Sequence, residues 1–246
     1  GVRANKKEMA SVASIYGEKL HGDFNTIRAA GRTAAAILAE GQTENADVIQ
    51  TALSVIMTHT ESYEVIYHKG SGLGIRHDGS EVSLKETGYY EMVYQAADIR
   101  YLFAPDDGIS GQPAIILVVP LEDSSLQNIL LYYSVENVKE HLKMDTEFDS
   151  KAFAALISAD GSIIACNDIN SGFLAKDNLW KAIEDSAYAN SVAGARVQIK
   201  NHTDGTLQAK VGQEERTLVC HPIGINDWAL VIGINQDYVN ERQSGH

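Results

Sequence analysis

Residues 107–135 read DGISGQPAIILVVPLEDSSLQNILLYYSV. Two apolar runs, Ala114–Leu121 and Leu126–Val135, flank the polar connector Glu122-Asp123-Ser124-Ser125. Each run is rich in Ile, Val, Leu or Tyr and short for a helix. The pattern predicts two strands paired as an antiparallel hairpin. The cluster Asp107, Gly108, Ser110, Gly111 and Pro113 precedes it as a turn. A buried hairpin entered through an acidic, glycine-containing turn is a candidate for the floor and lip of a pocket.

Upstream, Asn5 to Glu40 reads as one long helix, with Gly41 as its stop. Met9, Val12, Ile15/Tyr16, Leu20, Phe24, Ile27, Ala34 and Ile37/Leu38 recur at steps of three and four. The stripe fits core packing, or a dimer seam along its first half. Gly17, Gly22 and Gly31 each cost the helix up to about 1 kcal/mol relative to Ala. A second helix spans about 44–57, capped by Thr43 or Asn45, with Ile49, Leu53 and Ile56 inward. Strands follow at Tyr63–His68 and Glu81–Leu84, around the glycine-rich segment Gly70–Gly74. That segment lacks the helix that would hold a pyrophosphate, so it reads as a strand bend or loop. Thr87–Ala97 reads as a short helix, Ile99–Phe103 as a strand and Glu136–Met144 as a linking helix.

From Phe153 the order repeats. Phe153–Ser158 and Ser162–Asn167 are strands joined by the turn Asp160-Gly161, and Asn178–Ala187 is a helix. Ala195–Asn201, Thr206–Val211, Arg216–His221 and Trp228–Asn235 read as further strands, and Asp237–Gln243 as a terminal helix. The class is α+β: a long N-terminal helix, then two units of antiparallel sheet with covering helices. The expected division is 1–60 for the helices, 61–144 and 145–236 for the two units, and 237–246 for a tail.

A chain of 246 residues, 44% hydrophobic and 22% charged, sustains a core without staples. Its formal charge of −13 is spread along the chain and disfavours nucleic acid or an anionic membrane surface as partner. No apolar run reaches the roughly 18 residues of a membrane span. The H-E-x-x-H, G-x-S-x-G and Walker patterns are absent, which leaves no catalytic motif, metal site or cofactor to expect. His68 and His77 flank the glycine segment and read as solvated loop histidines. His221 reads as a surface or pocket hydrogen-bonder. Adjacent strand residues face opposite ways, so Cys220 and His221 do not form a dyad.

Three stretches in this order resemble the double Cache sensor domain, the PAS-like extracytoplasmic module of bacterial transmembrane receptors. They are Asp107–Ile115 with Val118-Val119-Pro120-Leu121, then Leu156–Ile164, then Pro222-Ile223 with Asp227–Leu230. The resemblance covers essentially the whole chain. It implies sheets ordered 2-1-5-4-3 and a small-molecule site in the membrane-distal unit. It also implies flanking transmembrane segments outside the chain and a diguanylate cyclase, histidine kinase or chemotaxis output, and the expected protein partner is a second copy, a homodimer through the N-terminal helix. A stand-alone solute-binding or adhesion module is the alternative.

Asp107 matches the family aspartate that contacts a ligand's amino group, although it equally suits a turn cap. The amino-acid-binding pattern R-x-W-Y-x-x-A aligns with Glu91–Ala97, where Glu91 replaces Arg and Val93 replaces Trp, or else takes Tyr89-Tyr90 in its aromatic positions. The cation that holds an α-carboxylate is therefore missing. Glu91 and Asp107, with Tyr89, Tyr90, Tyr94, Tyr101 and Phe103, suggest a cationic or aromatic ligand. The implied strand order also sets Cys166 and Cys220 three strand spacings, roughly 14 Å, apart. Free thiols follow, since a disulfide needs Cα atoms within about 7 Å.

Overall fold

The computed structural model describes residues 6–40, 45–121, 124–144, 150–167 and 170–239. Asn5, the stop at Gly41, the Thr43 cap, the Glu122-Asp123 connector and the end of the Asp237–Gln243 helix lie outside them. The chain divides into two compact units: Asp23–Asn137, and a discontinuous one made of the residues up to Gly22 with those from Val138 onward.

Helix α1 spans Lys6–Glu40. Its buried stripe is Met9, Ala13, Gly17, Leu20, Phe24, Gly31, Ala34 and Leu38. Ile15 and Ile37 point outward, 67% and 45% exposed, so the hydrophobic pattern assigned them to the wrong face. The stripe is completed instead by small residues that permit close approach. A Cβ on Gly31 would lie 2.7 Å from Leu117 Cδ2 and 3.0 Å from Val119 Cγ2. Close packing of the helix against these side chains thus offsets the helical cost of this glycine.

In the Asp23–Asn137 unit, Asn45 caps α2 (Ala46–Thr60) by accepting from the Asp47 and Val48 amides, and Ile49, Leu53 and Ile56 are buried. Strands β1 (Glu64–Gly70), β2 (Leu73–Arg76), β3 (Glu81–Ser83), β4 (Arg100–Ala104), β5 (Ala114–Leu121) and β6 (Ser124–Ser134) form one antiparallel sheet. Its order is β3-β2-β1-β6-β5-β4, the expected arrangement with one more edge strand. The β5–β6 hairpin pairs Ala114 with Ser134 and Val119 with Ile129, the antiparallel pairing expected of the two apolar runs. Helix α3 holds only Tyr90–Tyr94, shorter than the Thr87–Ala97 expected.

Strand alternation separates the sheet's two faces. One carries Ile66, Leu102, Ala104, Ala114, Ile116, Val118, Leu130 and Tyr132, packed with Tyr89, Val93 and Ala96 of the α3 segment. The other carries Tyr101, Leu117 and Val119 and meets α1. The Tyr101 hydroxyl donates to the Phe24 carbonyl, and its ring stands edge-on to Phe24 with centroids 5.1 Å apart. Tyr101→Phe is expected to lower the unfolding free energy by about 1 kcal/mol or more in urea denaturation, through the loss of the hydroxyl's bonds to the α1 backbone at Phe24 and Arg28.

In the second unit, α4 (Val135–Glu140) leads in from the first. Strands β7 (Ala152–Ile157), β8 (Ile163–Cys166), β9 (Gly205–Val211), β10 (Glu214–Pro222) and β11 (Ala229–Asn235) are ordered β8-β7-β11-β10-β9, the expected 2-1-5-4-3. Cys166 and Cys220 lie three strands apart and form no disulfide, as the strand order requires. The segment read as a strand at Ala195–Asn201 is the end of a helix. After α5 (Leu179–Ala182), α6 runs Ala189–Lys200 and buries Ala195 and Ile199, four residues apart, while Val197 is 57% exposed. The alternation Val197-Gln198-Ile199 mimicked a strand over three residues. The Ala-rich helical spacing holds over twelve.

This unit's core joins Phe153, Phe173, Trp180, Ile199, Leu218 and Val231. The first part of α1 belongs here: His21 Nδ1 donates to the Ile223 carbonyl at 2.6 Å, and His221 lies between Asp204 (2.8 Å) and Glu18 (3.4 Å).

Candidate functional site

The turn at Asp107 is built around its carboxylate. Gly108 and Gly111 adopt φ of +75° and +80°, which folds the chain back over the side chain. Asp107 Oδ1 accepts from the amides of Ile109, Ser110 and Gly111 at 2.8–2.9 Å. Oδ2 accepts from the Ser110 and Tyr63 hydroxyls at 2.6 and 2.7 Å. The residue is fully buried. Burial alone would raise its pKa. The bonds from Ser110, Ile109, Tyr63 and Gly111 outweigh that and hold it below the usual carboxylate range. Burial, with the same carboxylate, pushes the Tyr63 phenol well up. Asp107 is thus engaged as a turn cap, with its lone pairs filled from within the chain.

Next to the turn runs a chain of hydroxyls. Tyr89 OH donates to the Asp107 carbonyl at 2.7 Å and lies 2.8 Å from the Tyr132 hydroxyl. Burial raises the Tyr89 pKa to about 12, so both phenols are neutral donors and acceptors. At the start of β1, Glu64 is almost wholly buried yet fully paired. Arg76 meets it through Nε and a terminal nitrogen at 2.9 and 2.8 Å, and His77 Nδ1 lies at 2.7 Å.

Beyond α3, a second polar group lies on the same face. His68 on β1 and Asn128 on β6 are directly paired across the sheet and both fully buried. His68 Nε2 accepts from the Gly72 amide at 3.1 Å and lies 3.4 Å from the Tyr90 hydroxyl. Asn128 Nδ2 contacts His68 Nδ1 and the Val93 carbonyl, each at 3.3 Å. Burial lowers the His68 pKa, so the imidazole is neutral. The Tyr90 ring meets His68 edge-on at 5.5 Å and Tyr94 at 5.2 Å. Tyr94 is 39% exposed and opens this row to solvent.

Of the residues expected at the site, Tyr89, Tyr90, Glu91 and Tyr94 gather on the α3 segment, with Asp107 in the turn bonded to Tyr89. Tyr101 and Phe103 do not join them. They alternate with Leu102 and Ala104, which face α3, and so lie on the opposite side of the sheet. Glu91 is exposed, within 3.4 Å of the Gln95 amide nitrogen. His68 and His77 are not solvated loop residues: one is buried in a strand, and the other pairs with Glu64. Asn128, Tyr63, Tyr132 and Glu64 were not anticipated. The signal for Asn128 was a polar residue at an inward position of an otherwise apolar strand.

Another depression, about 630 Å³, is lined by Asp47, Gln50, Thr51, Ser54, Val55, Thr58 and His59. All belong to α2, so no second element brings polar groups together there. Among the described residues, no group of three or more His, Cys, Asp or Glu is placed to hold a metal. None of their helices is long and apolar enough to cross a membrane.

No family model matches the chain, and no curated protein does. Solved structures do. The ligand-binding domain of the Pseudomonas aeruginosa amino-acid chemoreceptor PctB, in complex with L-Arg, superimposes with a TM-score of 0.72. It is 14% identical, over 94% of this chain and 95% of that one. The ligand-binding domain of Pseudomonas fluorescens chemoreceptor CtaA with L-alanine also gives 0.72, at 14% identity over 94% and 97%. The sensory domain of Campylobacter jejuni chemoreceptor Tlp3 with isoleucine bound gives 0.66, at 14% identity over 94% and 93%. The chain therefore has the two-unit fold of bacterial ligand-binding sensor domains, the fold that the double Cache resemblance implies.

Proposed function

We propose that this chain is the extracytoplasmic small-molecule sensing domain of a transmembrane signalling receptor, and that its ligand binds on the α3 side of the first sheet. The observation that carries this reading is the fold, shared over 94% of the chain with chemoreceptor domains crystallised with their ligands. Buried polar groups beside Tyr90 and Tyr94, at one edge of an apolar core, support the location. The chain has no catalytic role of its own here. A diguanylate cyclase, histidine kinase or chemotaxis domain on the far side of the membrane carries the output, and a homodimer through α1 relays the signal.

The ligand differs from a free amino acid. Glu91 stands where amino-acid binders carry arginine, and Asp107 is filled by its own turn. Of the cationic and aromatic alternatives, the row Tyr94, Tyr90, His68 favours the aromatic one.

A thermal-shift screen of small metabolites tests the reading. A true ligand at about 100 times its Kd adds about 2.7 kcal/mol, or roughly 5–10 °C for a chain of this size. The Tyr90→Ala/Tyr94→Ala double variant is expected to lose that shift. A shift that survives it removes α3 from the site, and silence across the library removes the sensor reading.

A further inference from the structure

Hydrogen-bond arithmetic at His68 and Asn128 does not close. The Gly72 amide can only donate, so His68 Nε2 accepts and the proton of the neutral ring sits on Nδ1. That proton meets Asn128 Nδ2, a donor facing a donor. Turning the Asn128 amide over offers its oxygen to Nδ1–H, but sets the same oxygen against the Val93 carbonyl now held by Nδ2. The opposite imidazole tautomer moves the conflict to Gly72. In the orientation present, Asn128 Oδ1 is buried with no hydrogen-bond partner, in a residue that is fully inaccessible. A buried acceptor without a partner is unusual and unfavourable. Resting on the α3 site above, we propose that His68 and Asn128 are the specificity end of the ligand site, and that the occupant is an uncharged ring compound bearing an N–H, such as an aromatic carboxamide or lactam, which donates to Asn128.

Three features set this chemistry. Charge is disfavoured because the two buried carboxylates on this face are already held: Glu64 by Arg76 and His77, and Asp107 by its turn. A charged ligand head beside neutral His68 and Asn128 would be buried without a counter-ion. A ring is favoured because the Tyr90 ring stands edge-on to His68 at 5.5 Å and meets Tyr94, which is exposed, at 5.2 Å. The N–H is required because Asn128 Oδ1 accepts and cannot donate.

The test uses four matched probes on the whole chain: nicotinamide (neutral amide), benzylamine (cation), benzoate (anion) and L-phenylalanine (zwitterion). Melting-temperature titrations and calorimetry are read for wild type, Asn128→Leu and Asn128→Ser, with circular dichroism to verify folding. Nicotinamide is expected to stabilise the wild type saturably, at least about 10-fold more tightly than the other three. Asn128→Leu is expected to raise the melting temperature of the unliganded protein by about 2–4 °C, since it removes the unmatched polar group. It should weaken nicotinamide by about 10-fold or more. Asn128→Ser carries the affinity test if the leucine variant does not fold. Tighter binding of a charged probe, or nicotinamide binding that both variants preserve, overturns the assignment while leaving the α3 site standing. A stabilised Asn128→Leu protein in which no probe binds the wild type overturns it too, and reduces the pair to an internal mismatch. The sensor reading itself falls only with the broader screen.

Discussion

Asp107→Ala is expected to lower the unfolding free energy by about 3 kcal/mol, which corresponds to roughly 6–12 °C in melting temperature. The substitution removes the acceptor for five hydrogen bonds, from Tyr63, Ile109, Ser110 twice and Gly111. Tyr63 and Ser110 then lose charge-assisted bonds, and the backbone has lost what held two glycines at positive φ. The effect depends on pH with a definite sign. The folded carboxyl titrates below its ordinary value, so the unfolded chain binds the proton first as pH falls. The contribution is complete above the unfolded carboxylate range near 4 and is lost as pH drops through the lower folded value. Melting curves of wild type and variant should therefore converge on acidification. A gap that is constant, or that widens, would mean that the carboxylate is not the source of the stability.

Gly233→Ala should be comparably damaging, about 3 kcal/mol, though it adds a single methyl. Gly233 sits on the central strand β11 directly opposite Phe153 on β7. An added Cβ would enter the Phe153 ring. The ring cannot retreat. It is fully buried, with Phe173 6.1 Å away and the Arg216 guanidinium 5.1 Å from its centroid. Phe153→Leu in the same chain should relieve the clash, so the double variant is expected to be at least about 1 kcal/mol more stable than the sum of the singles. Strict additivity in urea denaturation would show that the two positions do not compete for space.

The parts of the fold that were legible are those where one period dominates a long stretch. The β5–β6 hairpin announced itself through two apolar runs, and the second sheet's strand order follows the resemblance without change. Short alternations misled. Val197-Gln198-Ile199 looks like a strand until the alanines before it are weighed. Small residues were opaque for another reason: Gly17 and Gly31 matter for the space they leave, which no hydrophobicity pattern encodes. The grouping of Tyr89, Tyr90 and Tyr94 could be read because all three fall on one short segment. Tyr101 and Phe103 were misplaced because nothing local fixes which parity of β4 faces α3. His68 was misread for its nearness to Gly70, when its place in the strand mattered more. Asp107 suited both a cap and a ligand contact, and only the positions of Tyr63 and Ser110 separate the two.

The second unit's division along the chain has a consequence for how the protein is made. Its α1 portion, up to Gly22, is synthesised first, while the partners of that portion come near the end: His221 lies 203 residues beyond Glu18, and Ile223 lies 202 beyond His21. At about 5–20 residues per second, the early segment waits roughly 10–40 s on the ribosome for the strand it packs against. The Asp23–Asn137 unit is complete well within that interval and can settle first. A stalled or truncated chain would present a finished first unit beside an unpartnered amphipathic helix bearing Met9, Ala13 and Leu20, a surface for chaperones to hold until the last strand arrives.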